Sequence, residues 1–136
     1  VELAALRRQA AQLGLEPWVE FTGPLGPEAV RDRLRSAQAF VLSSHNEGQG
    51  LSLMEAMACA VPCIATRVGG VVDHAEGIVP LVPAGQPDAL AEALRLLLAD
   101  PRHAARLGAM GAERMRDCAI ENTNLAYRSY YREIAR

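Results

Sequence analysis

Lysine is absent: all fourteen basic residues of this 136-residue chain are arginine. Within the chain, that excludes a Schiff-base lysine and the lysine of a phosphate-loop NTPase. Cysteine is sparse and odd in number. Cys59, Cys63 and Cys118 form no Cys-x-x-Cys pair, so neither a zinc site nor a disulfide framework is supported. Free thiols in a reducing cytoplasm are the expectation. No apolar run approaches the roughly 20 residues needed to span a bilayer. The opening Val1-Glu2-Leu3-Ala4-Ala5-Leu6-Arg7-Arg8 lacks both an initiating Met and the basic-then-apolar layout of a signal peptide. It reads as the middle of a longer chain. Excess charge is missing too: the net charge of −2 excludes a general nucleic-acid binder.

What is present suits one globular domain. Half of the residues are apolar and 22% are charged. A chain of this length buries roughly two thirds of its extended surface. Short β-rich runs alternate with helical ones. Leu3, Leu6, Ala10 and Leu13 recur at helical spacing, and Gly14 follows as a stop signal. Trp18–Thr22 is predicted as a strand, and Pro27 opens a helix carried by Val30, Leu34 and Ala37. Ala39–Ser43 is a continuous apolar run that suits a strand covered on both faces. A loop over 44–50 precedes a helix from about Leu51 to Ala60. Further strands are expected at Pro62–Thr66 and Ile78–Val82, with a weak helical stretch near 72–75 between them. Pro80 marks the latter strand as an edge or last strand. Pro87 lies near a helix start whose buried stripe is Leu90, Leu94, Leu97 and Leu98. Asp100-Pro101 reads as a cap followed by proline at the first helical position. A last helix carries Leu125, Tyr127, Tyr130, Tyr131 and Ile134. The expectation is an α/β fold: a doubly wound, mostly parallel sheet flanked by helices over residues 1–100, then a helical C-terminal tail over 101–136. Four strands are few for such a sheet, so leading β-α units are expected to be missing.

Residues 1–100 hold seven arginines against twelve acids, whereas 101–136 hold seven against four. Such a tail fits ordinary solvated helix faces. It also fits a peripheral contact with an acidic partner domain or an anionic membrane surface.

Chemistry concentrates between Ser43 and Glu55. In open α/β sheets, ligands sit at the carboxyl ends of strands against helix N-termini. There, unpartnered N–H groups and the helix dipole favour an anion. Gly48 and Gly50 let the backbone approach a phosphate or diphosphate closely; a merely tight turn is the other reading. No lysine serves a phosphate loop, Leu53 stands where a dinucleotide fingerprint needs a third glycine, and no Asp-x-Asp pair offers a metal clamp. Dipoles and arginines must then hold the diphosphate, without metal. Glu47 and Glu55 flank this region. A carboxylate against a phosphate repels it, so both are expected to meet hydroxyls, ribose on one side and a sugar on the other. Glu55 sits among Leu51, Leu53, Met54, Ala56, Met57 and Ala58. In so apolar a helix a glutamate needs a specific partner.

The run Glu47-Gly48-Gln49-Gly50-Leu51-Ser52-Leu53-Met54-Glu55-Ala56-Met57-Ala58 resembles the signature of retaining, family-4-type glycosyltransferases with the GT-B fold. The similarity continues through Phe40–Ser44 before it, and through Pro62, Ala65-Thr66 and Gly69-Gly70 after it. It also includes Leu13–Leu15 and the run to Phe21-Thr22-Gly23, and so covers about residues 3–100. The resemblance implies a Rossmann-like half of a GT-B fold that binds the donor, a nucleoside-diphosphate sugar. Glu55 would hold ribose. Glu47, as the catalytic-side carboxylate, would contact the donor sugar. The backbone at Gly48, Gln49, Gly50 and Leu51 would hold the diphosphate. Thr22 and Gly23 would lie by the nucleobase. No cofactor and no metal are implied. The acceptor and a first Rossmann-like domain would lie outside the chain, which alone would be inactive. The expected place of action is the cytoplasm, at the inner face of the membrane if the basic tail docks there. A sugar-nucleotide epimerase of the same architecture and a non-catalytic nucleotide-sugar-binding module are the alternatives.

This sequence departs from the family pattern at several points. Gln49 stands where an aromatic residue is common. Cys59-Ala60-Val61 replaces a glycine near the helix end, leaving Ala60 there. Asp73 stands roughly where a glutamate follows the double glycine, and the loop around Glu76-Gly77 is short. His45, His74 and His103 do not match the family's first-domain catalytic histidine, and are expected in loops or on the surface.

Overall fold

The structure is a computed structural model, and it describes residues 3–118. The elements are α1 (Leu3–Gln12), α2 (Pro27–Ser36), β1 (Phe40–Leu42), α3 (Leu51–Ala58), β2 (Cys63–Thr66), α4 (Val71–Ala75), β3 (Leu81–Val82), α5 (Pro87–Ala99) and α6 (Pro101–Asp117). The three strands form one parallel sheet in the order β1-β2-β3. Parallel neighbours need a crossover, supplied here by α3 and α4. Phe40 pairs with Cys63 and Leu42 with Ala65, while Ala65 and Thr66 pair with Leu81 and Val82. The central strand β2 is buried along its whole length. Leu53, Met57, Ile64 and Val71 are the largest fully buried side chains. One core cluster lies under α3 and α4, and a second joins Ile64 to Leu97, Ala104 and Leu107 of α5 and α6.

Local chemistry explains the helix ends. The amide of Gly14 donates to the Ala11 carbonyl, and that of Leu15 to Ala10, at 3.0 and 2.8 Å. This paired closure places the intervening residue in the left-handed region, and Gly14 sits there with φ 66°. Helix α3 ends in the same way. The Ala60 amide donates to Met57 and the Val61 amide to Ala56, at 2.9 and 3.1 Å. Here the left-handed residue is Ala60, with φ 58°. A Cβ in that conformation costs about 1–2 kcal/mol. Asp100 caps α6 as expected, its carboxylate accepting from the His103 amide at 3.0 Å ahead of Pro101.

Helix α6 packs closely against the end of α3. A Cβ at Gly108 would collide with the Ala60 carbonyl oxygen, and Gly111 lies against Met57.

Three expectations need correction. Trp18–Thr22 is not a strand. Its chain turns, with the Trp18 amide donating to the Leu15 carbonyl at 2.9 Å, and Trp18 is 84% exposed. A strand exists only through a ladder partner, and among the described residues none runs beside this segment. The stripe on α5 is narrower than predicted: Leu97 is buried, Leu90 and Leu94 are half-buried, and Leu98 is 45% exposed. Pro80 does precede an edge strand, but β3 keeps only Leu81 and Val82. The helix expected to carry Leu125 to Ile134 lies outside the described residues. Among the described residues, no helix is long and apolar enough to cross a membrane.

Candidate functional site

Because the strands are parallel, their carboxyl ends open on one edge of the sheet. The loops that follow Leu42, Thr66 and Val82 meet there. The first loop runs from Ser43 to Gly50 and enters α3. Gly50 takes the left-handed conformation, φ 70°, at the helix N-cap and offers no side-chain cap. The first-turn amides of Leu51 and Ser52 are therefore uncovered by any capping side chain. The second loop carries Gly69 and Gly70, whose α-carbons press on the carbonyl oxygens of Glu47 and Gly48. Neither position has room for a Cβ. The third loop brings Gly85 beside the ring of His45. At Gly69 and Gly70, glycine is thus required by backbone contact between loops, which the sequence alone does not display.

Glu47 is half-buried in the first loop. Its Oε1 accepts a hydrogen bond from the Ser44 hydroxyl at 2.7 Å. The Ser44 carbonyl accepts from the Thr66 hydroxyl at 2.6 Å. Thr66 ends β2, and is the one buried polar side chain among the described residues. Gly48 and Gln49 are exposed, and Leu51 is 63% exposed at the start of α3.

Helix α3 has two faces. Leu53, Ala56 and Met57 enter the core, while Leu51, Ser52, Glu55 and Ala58 face out. Glu55 therefore points away from the core, on the outer face of α3. Among the described residues its carboxylate makes no hydrogen bond or ion pair. The partner expected for it is a ligand hydroxyl, and no described side chain occupies its carboxylate. Glu55 instead lines an open cleft of about 390 Å³ between α2 and α3. Leu25, Pro27, Val30 and Arg31 line it from the α2 side, and Ala58 and Cys59 join Glu55 on the α3 side. Arg31 is half-exposed, with its Nε 3.4 Å from Asp32. Thr22 and Gly23 are exposed on the segment leading to Leu25 and do not line this cleft; the Thr22 hydroxyl donates to the Gly23 carbonyl at 3.1 Å.

The structure thus brings Glu47, Gly48, Gln49, Gly50 and Leu51 together at one helix N-terminus. It sets Glu55 one helical turn deeper, on the flank that opens into the cleft. Sequence reasoning missed Ser44, Thr66 and Arg31. Ser44 and Thr66 lie 22 residues apart and meet only through strand pairing. His45 and His103 are exposed and His74 is half-buried, close to expectation. Cys63 is buried, and burial pushes its thiol up to about 12. It lies at the start of β2, where it pairs with Phe40.

Residues 2–114 match the family described as Glycosyl transferases group 1. A D-inositol 3-phosphate glycosyltransferase of Kineococcus radiotolerans is 39% identical over 112 residues, which is 75% of this chain and 26% of that protein. Among solved structures, sucrose-phosphate synthase from Thermosynechococcus elongatus superposes with a TM-score of 0.87 at 33% identity, over 96% of this chain and 34% of that one. Anabaena Alr3699/HepE, solved in complex with UDP and glucose, shares the fold with a TM-score of 0.81 at 24% identity, over 95% of this chain and 36% of its own. The chain therefore spans about a quarter to a third of the length of these relatives. The parallel sheet with flanking helices matches the Rossmann-like fold expected, and the chain belongs to the group 1 glycosyltransferase family.

Proposed function

We propose that this chain is the donor-binding part of a retaining, family-4-type glycosyltransferase that moves a sugar from a nucleoside diphosphate to an acceptor without metal. One observation carries the reading. The uncapped N-terminus of α3 lies at the carboxyl edge of a parallel sheet, with Glu47 in the loop before it and Glu55 one turn into the helix, facing an open cleft. The diphosphate lies against the amides from Gly48 to Leu51, where the helix dipole favours negative charge. That charge grows as the nucleotide leaves, so the same amides stabilise the departing group. Glu55 meets the ribose from the cleft, and Arg31 on the opposite wall supplies a cation that the sequence contains in place of lysine. Leu25 and Pro27 form the apolar wall for the nucleobase, which moves that contact a few residues beyond Thr22 and Gly23. Glu47 faces the donor sugar.

The acceptor side of the reaction belongs to protein outside these 136 residues, in keeping with the chain's share of its relatives' length. Catalysis needs both substrates held in near-attack geometry, which supplies about 7–11 kcal/mol of the barrier. The chain alone therefore binds nucleotide at about the millimolar level and transfers nothing. The basic residues beyond Asp100 are proposed to meet an acidic partner or the inner face of the membrane.

The experiment is calorimetry on the full-length protein with UDP, GDP and ADP, and with their glucose conjugates. Glu55→Ala weakens the free diphosphate by about 10- to 150-fold, the range for a hydrogen bond to a charged group. Glu47→Ala spares the free diphosphate and weakens only the sugar conjugate. Equal losses for both ligands in both variants reject the assignment.

A further inference from the structure

The Ser44 hydroxyl has one hydrogen, and gives it to Glu47 Oε1 at 2.7 Å. The Thr66 hydroxyl likewise has one. The Ser44 carbonyl takes it at 2.6 Å, while the Leu42 carbonyl lies farther off at 3.4 Å. These two bonds run in series from the end of β2, through the first residues after β1, to the carboxylate. Thr66 is only 4% exposed, so water does not compete for its bond. Strand β2 is the most buried strand of the sheet, and it fixes the origin of the series. A glutamate on an eight-residue glycine-containing loop has three side-chain torsions, and its carboxylate has no other hydrogen bond among the described residues. Without this support its carboxylate has no fixed direction.

We propose that Ser44 and Thr66 are positioning residues for Glu47. Ser44 engages Oε1 from the protein side, Thr66 holds the Ser44 backbone in place, and Oε2 is left to accept from a hydroxyl of the donor sugar. This rests on the reading of Glu47 given above. Ser44 cannot donate to a ligand while bound to Glu47, so it acts through that carboxylate and does not itself recognise the sugar.

The test has two readouts. In the chain labelled with carbon-13 at glutamate carboxyls, the Glu47 signal is assigned by its loss in Glu47→Ala. Ser44→Ala shifts that signal and Ser44→Thr, which restores a hydroxyl, returns it toward its original place. In the full-length protein, calorimetry uses UDP, GDP and ADP and their glucose conjugates. Ser44→Ala and the near-isosteric Thr66→Val weaken the best-bound conjugate by about 5- to 10-fold, with the free diphosphate unchanged and Ser44→Thr within about twofold of the parent. Combining Ser44→Ala with Glu47→Ala adds nothing further. A Glu47 signal indifferent to Ser44→Ala overturns the proposal, as does an additive double variant. If Glu47→Ala itself spares the conjugate, the reading of Glu47 fails and the positioning role falls with it. If Thr66→Val does not fold, the Ser44 variants decide.

Discussion

Gly69 lies with its α-carbon against the carbonyl oxygen of Glu47, so closely that no side chain fits between them. The loop after β2 thereby sets how far the loop after β1 can rise. Gly69 also has φ 42°, a conformation that disfavours any Cβ. Gly77 shares the second property, with φ 78°, but has open space around it.

Gly69→Ala and Gly77→Ala therefore separate strain from collision. Each carries about 1–2 kcal/mol of backbone strain. Gly69→Ala must in addition push the Glu47 carbonyl aside. Thermal unfolding of the chain should show the larger loss for Gly69→Ala, and amide shifts from Ser44 to Gly50 should change in that variant only. Equal losses, with the first loop unmoved, would contradict the packing described.

Ala60 offers the opposite change. Its left-handed conformation costs about 1–2 kcal/mol, and glycine returns roughly 0.5–1 of that through its greater unfolded freedom. Ala60→Gly should stabilise the chain by about 0.5–1 kcal/mol, or roughly 2–6 °C in Tm. The contact from Gly108 is to the Ala60 carbonyl and survives the change. An unchanged or lower Tm counts against strain at this helix end.

Burial holds the Cys63 thiol protonated up to about 12, against an ordinary value of 9.0. The fold binds the neutral form, whose proton the unfolded chain releases earlier. The thiol's contribution to stability is therefore complete below pH 9 and is lost as pH rises toward 12. Denaturant midpoints taken across that range should fall less steeply in Cys63→Ala than in the parent. Identical slopes refute the buried thiol as a source. At neutral pH the exposed Cys118 should alkylate well before Cys63.

Sugar transfer by the full-length protein should persist in excess chelator, since amides and arginine are proposed to carry the diphosphate. Loss of turnover that manganese or magnesium restores would reject a dipole-held leaving group.

How much of this could be read from the chain differs from residue to residue. The strand Cys63–Thr66 was legible because a strand covered on both faces must be apolar throughout; Phe40-Val41-Leu42 forms a strand as expected, but Val41 is exposed, so this run is not covered on both faces. Asp100-Pro101 was legible because a cap is a local device. Trp18–Thr22 misled because its composition favours a strand while pairing decides whether one forms. Glu55 misled in another way. Its neighbours in sequence are apolar, but a helix turns about 100° per residue, so Leu53, Ala56 and Met57 face the core while Glu55 faces out. The series from Thr66 to Glu47 and the wall formed by Leu25 and Arg31 need contacts between distant segments. No local pattern encodes them.

The glycine contact between α6 and the end of α3 has a mechanical consequence. Helix α3 is eight residues long, about 12 Å at the usual rise. Its amino end faces the proposed phosphates, and its carboxyl end bears on Gly108 through Ala60. A rod this short does not bend appreciably, so α6 serves as its backstop. Any side chain that thickens α6 at that point presses the rod toward the nucleotide. Any loosening of α6 lets it recoil. On the proposed reading, the grip on the phosphates depends on residues at the opposite end of α3 that never touch a ligand.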